Sequence, residues 1–231
     1  MPSDALQLDQ LDEVMQELEQ CGTEQNRKIY ARHGVQAPMF GVSYANLDRL
    51  KKRIKVNHAL AEALWATGNH DARVLATKIA DPKQADPDQL EAWVEALDNY
   101  VLSDALAGYI ARTPHARAKM EAWTPRPEEW IARTGWLLLA LLAGKGTEMP
   151  DDDLIPYVAI IEQEIHQRAN WVRDAMNSAL IAIGLRSPAL QALALDAAAR
   201  IGRVQVDHGE TNCKTPDAAS YILKAAARRS A

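Results

Sequence analysis

Residues 60–82 read LAEALWATGNHDARVLATKIADP, and this stretch decides the fold. Its opening is rich in Ala, Leu and Glu, which are strong helix formers. Gly68-Asn69 is a turn. Asp81-Pro82 ends the second half, because the residue before a proline is pushed out of the α region. The stretch therefore predicts a helix over 57–67, a tight turn and a second helix over 70–80. That is a helical hairpin. At the start of its second helix, His70 is followed by Asp71 and Arg73, which are expected to pair locally.

The same unit recurs in both directions. Leu8, Leu11, Val14, Met15 and Leu18 fall at three- and four-residue spacing and predict a helix over 4–21. A second helix fits 23–33, ended by Gly34, and Ser43 can cap the one after it. Asp86-Pro87 restarts the pattern with a cap and a proline at the first helical position. Helices then fit 88–97, 99–112, 114–123, 127–143, 152–166, 169–183, 187–201 and 216–228. Taken in pairs, they recur about every 30–45 residues, the range of HEAT and armadillo hairpins. The expected fold is all-α, a curved α-solenoid of such repeats with a concave binding face. No Gly-, Ser- or Pro-rich linker interrupts residues 1–231, so a single domain is expected. An irregular helical bundle is the alternative.

Composition agrees. Hydrophobic residues make up 48 % of the chain, yet Phe occurs once, and strand-like alternation is almost absent. The net charge of −5 provides no global field for nucleic acid. One local exception is the run from Arg49 to Lys55, where five of seven residues are Lys or Arg. It reads as a solvated helix face or as a phosphate-binding stripe. Cys21 and Cys213 are too few for a disulfide framework, so a reducing compartment is expected. The N-terminal stretch is acidic without an apolar signal region. The longest apolar run, 135–144, is about half the ~18 residues of a spanning helix. The expected location is cytoplasmic, with no membrane partner.

Two polar stretches are candidates for chemistry. HGETNCKT, residues 208–215, gathers His208, Glu210, Cys213 and Lys214. It reads as a polar loop whose Thr215 caps a helix beginning at Pro216. Two other readings stay open: a metal site from His208, Cys213 and Glu210, and a Cys213 nucleophile with His208 as base. In residues 164–177, EIHQRANWVRDAMN, the polar groups crowd around Trp171 in a way unlike a core helix. One wall of any ligand site is expected there.

Four stretches carry a family resemblance. Residues 60–82 resemble an early repeat of the AlkD-like DNA alkylation repair proteins. AWVEALDNYVLSDAL (92–106) and WIARTGWLLLALL (130–142) sit where that family carries its next repeats, and NWVRDAMNSALIAIG (170–184) resembles a later one. The best-studied members look like DNA glycosylases that cleave the N-glycosidic bond of cationic alkylpurines without metal or cofactor. A positively charged purine already leaves well. A carboxylate near C1′ would stabilise the oxocarbenium ion and orient water, with aromatic faces adding cation–π attraction.

The resemblance places Asp98 on the family's catalytic carboxylate, with a helix N-cap as its alternative reading, and Arg133 on a backbone-contacting arginine. It implies phosphate contacts from Lys51, Lys52, Arg53, Arg173 and Lys214, and aromatic surface from Trp93 and Trp171. Active members carry tryptophans at the positions of Val94 and Ser178. The resemblance therefore implies a monomer that binds alkylated double-stranded DNA, and leaves open whether it excises the base. The alternative is a non-catalytic scaffold for DNA structures or a protein partner.

Overall fold

The computed structural model describes residues 4–144 and 149–229. The chain divides into two compact units. The first is Met1–Pro114 with Gly209–Thr211, and the second is His115–His208 with Asn212–Ala231.

The first unit holds α1 (Asp4–Cys21), α2 (Glu24–Arg32), α3 (Tyr44–Ile54), α4 (His58–Ala66), α5 (His70–Ile79), α6 (Pro87–Glu95) and α7 (Tyr100–Ile110). The helices begin where short polar side chains can take the first orphan amides. Thr23, Ser43, Asn57, Asn69, Asp86 and Asn99 each accept a backbone N–H in the first turn of the next helix. One expectation shifts here. The cap of α7 is Asn99, whose Oδ1 accepts Leu102 N at 2.9 Å. Asp98 lies one residue outside, and its carboxylate accepts Asn99 Nδ2 at 2.6 Å.

Helix α5 is the hub of this unit, packing on α4, α7 and α3. The indoles of Trp65 and Trp93 stack with centroids 4.3 Å apart and planes 7° from parallel, and Tyr109 leans on Trp93. Arg73 on α5 closes the ends of two neighbours, donating to Trp65 O at 3.3 Å and Ala96 O at 3.4 Å. A cation at a helix C-terminus meets the negative end of the dipole.

Arg73 being so engaged, Asp71 turns elsewhere. It is buried, 1 % exposed, and accepts three amides of the α2–α3 connector. These are Phe40 N at 2.7 Å, Gly41 N at 3.0 Å and Val42 N at 2.9 Å. Gly41 has φ +78, and a Cβ there would lie 2.6 Å from Thr23 O, so only glycine fits.

The second unit holds α8 (Ala116–Trp123), α9 (Glu129–Gly144), α10 (Asp151–Glu164), α11 (Asn170–Gly184), α12 (Pro188–Ile201) and α13 (Ala218–Arg229). Helix α9 packs on α8 and, most extensively, on α11, which also meets α12 and α13. A Cβ on Gly135 would lie 2.6 Å from Thr124 N, so this glycine lets α9 close on the end of α8. Trp123 and Trp136 are fully enclosed. Three expected helix starts move inward by two residues: α8 begins at Ala116 rather than 114, α9 at Glu129 rather than 127, and α13 at Ala218 rather than 216. Asp217, not Thr215, caps α13, accepting Ser220 N at 2.8 Å.

Among the described residues there are thirteen α-helices and no strand beyond an isolated bridge between Gly22 and Val42. No helix there is long and apolar enough to cross a membrane.

Removing the Asp71 carboxylate leaves three connector amides without their acceptor. Asp71→Ala is expected to cost about 3 kcal/mol of stability. Urea unfolding checks it, and a loss below about 1 kcal/mol would show that the clamp is dispensable.

Candidate nucleic-acid interface

Around Asp98 the first unit builds a small polar constellation. Asp98 is exposed, just before α7. The side chain of Asn99, itself 1 % exposed, holds its carboxylate in place. Tyr100 follows, and its hydroxyl shares a hydrogen bond with Nδ1 of His33 at the end of α2, the rings meeting edge to face. His70, the first residue of α5, is 2 % exposed, and Tyr30 lies 5.7 Å from it centroid to centroid. The Tyr30 hydroxyl donates to Val42 O at 2.6 Å. The Asp71 clamp thus places Tyr30 and His33 beside the starts of α5 and α7.

His70 is the electrically unusual member. Its Nδ1 is buried without a hydrogen-bond partner among the described residues. Burial pushes its pKa below the ordinary value. The nearby carboxylates of Asp71 and Asp98 pull the other way, and Arg73 adds to the depression. His70 therefore sits as neutral imidazole between a structural carboxylate and the candidate catalytic one.

The second unit builds another constellation around Trp171. Glu129, the first residue of α9, accepts Trp171 N at 2.8 Å and so caps α11, whose own N-cap Ala169 has no side-chain acceptor. Arg133, one turn on, is 2 % exposed, so it is not an ordinary surface arginine. Its guanidinium lies 5.8 Å from the Trp171 ring centroid and 3.4 Å from Asp174 Oδ2. His208 also packs on Trp171, edge to face at 5.7 Å, and its Nε2 lies 2.9 Å from Thr215 Oγ1.

The loop containing HGETNCKT is anchored at both ends to α11. Asn170 donates to Asp207 O at 2.8 Å and accepts Asp207 N at 2.7 Å, and Asn177 donates to Pro216 O at 3.0 Å. Cys213 and Lys214 are exposed and share a hollow of about 460 Å³ with Arg203 and His208, and Glu210 is exposed as well. Among the described residues, no three His, Cys, Asp or Glu side chains gather as a metal-binding group.

The remaining expected residues divide by their partners. Trp93 is 5 % exposed inside the first unit, stacked on Trp65 rather than presented to a ligand. Val94, where the resemblance leads one to expect a tryptophan, is wholly buried. Arg53 is held by Glu17 at 2.5 Å and Glu13 at 3.4 Å on α1. Lys51 and Lys52 remain exposed on α3. Arg173 is half-buried and reaches Asn170 Oδ1 at 3.4 Å. Sequence reading missed Tyr30, His33, Tyr100 and Glu129, whereas Asp174 lies in the stretch around Trp171 that it singled out. Only the Tyr30–His33 spacing of three, which puts both on one helix face, could have signalled any of them.

The comparisons with known proteins agree with this fold. Residues 14–222 match the model of the DNA alkylation repair enzyme family. The chain belongs to that family. Two relatives, the uncharacterized proteins Lin0241 of Listeria innocua serovar 6a and Lmo0209 of Listeria monocytogenes serovar 1/2a, are each 28 % identical over 223 residues, 94 % of this chain and 96 % of theirs. A solved structure superposes with a TM-score of 0.87 at 30 % identity, covering 95 % of this chain and 94 % of that one. It represents a new family of proteins related to the HEAT-like repeat DNA glycosylases with affinity for branched DNA structures. The fold here is accordingly all-α and HEAT-like.

The depressed pKa of His70 has a signed consequence. Below about pH 6.5 the unfolded chain takes up a proton that the folded chain resists. Stability contributed by the neutral imidazole is present above that pH and is lost as pH falls through the lower folded value. Thermal midpoints measured between about pH 7.5 and pH 5.5 are expected to fall less in His70→Gln than in the parent. Parallel curves would contradict the assignment.

Proposed function

We propose that this protein binds branched DNA and does so without excising a base. The observation that carries the reading is the set of residues around the carboxylate of Asp98. Hydrolysis of a cationic alkylpurine needs a carboxylate with aromatic faces beside it, to hold the lesion while charge moves to the sugar. Asp98 is exposed and available, but four residues before it stands Val94, fully buried. Trp93, next to Val94, is enclosed in the core of the first unit. Within that unit the acid stands without the aromatic face that the resemblance expects beside it. The affinity of the structural neighbour for branched DNA supports a binding role that outlives excision.

In this reading DNA is held by cations not consumed by the fold. Lys51, Lys52 and Lys214 are exposed and can meet phosphates, and Arg173 and Trp171 add contacts from α11. With a net charge of −5 these contacts are local, so affinity falls steeply with salt. The protein acts as a monomer of one domain on alkylated or branched duplexes. A second reading, glycosylase activity, is favoured by one observation: the charge of Asp98 acts on His70, and Asp98 stands two residues before Tyr100, whose hydroxyl meets His33, so polar groups able to orient water lie in the same part of the unit.

Fluorescence anisotropy with a four-way junction and a linear duplex of equal length tests the first reading. The junction is expected to bind about tenfold tighter, and raised salt is expected to abolish both complexes. Absence of junction binding at low salt would sink it. Release of 7-methylguanine or 3-methyladenine by the parent, and none by Asp98→Asn, would establish the second reading instead.

A further inference from the structure

The first unit contains a cleft that the constellation around Asp98 does not use. It lies where α3, α5 and α7 meet, has a volume of about 450 Å³, and is lined by Tyr44, Lys51, Lys78, Asp104, Gly108 and Arg112 among others. That size suits one small-molecule-sized group and excludes a duplex.

Its chemistry is aromatic and cationic. Tyr44 is 44 % exposed although it is a large ring at the start of a helix. The Lys78 ammonium sits 5.3 Å from its centroid and is itself fixed by Asp48 at 2.8 Å. One side of the ring is therefore braced. Lys51 follows Tyr44 by seven residues, two helical turns or about 10 Å along α3. It is exposed and has no ion-pair partner within 4 Å among the described residues. Arg112 follows the last turn of α7 and donates to Gly108 O at 3.3 Å and Thr77 O at 3.1 Å. Those partners are carbonyls, so they orient the guanidinium without neutralising it. Asp48 neutralises Lys78, so Lys51 and Arg112 are the cations left to a ligand, and they face one lining carboxylate, Asp104. Gly108 adds no side chain, and a Cβ built on it meets nothing within 4 Å, so it keeps the cleft open.

We infer that this cleft binds an unpaired nucleotide of a DNA strand, with the base against Tyr44 and the backbone phosphate held by Lys51 and Arg112. Every base has a π-face, so stacking on an exposed ring with neighbouring cations is the sequence-tolerant way to hold single strands. The inference rests on the DNA-binding reading above and adds a substrate class to it: branched DNA with a single-stranded arm.

The test compares three fluorescent DNAs: a fully paired four-way junction, a fork with one single-stranded arm, and an oligo-dC strand. The variants are Tyr44→Ala, Lys51→Gln and Gly108→Leu. The Gly108 change replaces an exposed helical glycine with a better helix former and fills the cleft without touching the polar groups. Unfolding midpoints confirm that each variant folds. Tyr44→Ala and Gly108→Leu are expected to weaken fork and oligo-dC binding about tenfold while altering the paired junction less than about twofold. Lys51→Gln is expected to reduce the salt slope on oligo-dC by about 0.7, the value for one single-strand phosphate contact. Equal losses on all three DNAs, or no loss in folded variants, would overturn the cleft assignment while leaving junction binding in place. A parent that binds none of the DNAs would overturn both readings.

Discussion

A single buried carboxylate governs how the first unit presents its polar groups. Asp71 accepts the amides of Phe40, Gly41 and Val42 from the second residue of α5. The connector after α2 is thereby tied to the start of α5. Tyr30 and His33 are carried with it, because both lie on the segment that feeds the connector. Three chain segments far apart in sequence then meet: the end of α2, the start of α5 and the start of α7. A helix start is where backbone amides and the macrodipole favour negative charge. The amide-bound carboxylate of Asp71, the capping Asn69 and Asn99, and the exposed Asp98 all belong to this one setting.

The arginines show where the positive charge goes. Arg73 and Arg112 bracket carbonyls at helix ends in the first unit. Arg168 does so with Thr124 O and Arg126 O in the second, and Arg186 with Ala143 O. Arg49 and Arg53 meet Glu17 of α1. The lysines differ: Lys51, Lys52 and Lys214 are exposed to solvent. A planar guanidinium reaches two carbonyls at once, whereas a flexible, strongly hydrated ammonium is better left to meet phosphates. An acidic protein can thus carry local cationic contacts without a basic surface.

Much of the fold was legible because its helix boundaries are written in short polar residues. Ser43, Asn57 and Asp86 announce their helices by side-chain chemistry alone, and the structure follows them. Two of the errors come where two capping residues stand close together. In Asp98-Asn99 either side chain could cap, and only tertiary placement selects Asn99 and leaves the acid outside. Thr215-Pro216-Asp217 offered the same choice, and Thr215 was diverted to His208. The constellation around Asp98 was less legible. His33 and Tyr100 stand 67 residues apart, and no local spacing joins them. Trp93 misleads for a related reason: helical periodicity fixes its angle relative to Val94 but not the arrival of Trp65 to cover it.

DNA engaged at the starts of α5 and α7 and along the exposed side of α3 would shield those backbones from solvent. Hydrogen–deuterium exchange with and without a forked DNA tests this most directly. Slower exchange is predicted in amides of residues 44–52, 69–73 and 98–104, with α4 and α6 unchanged. Protection confined to α4 and α6, or none at DNA concentrations that saturate binding, would contradict it.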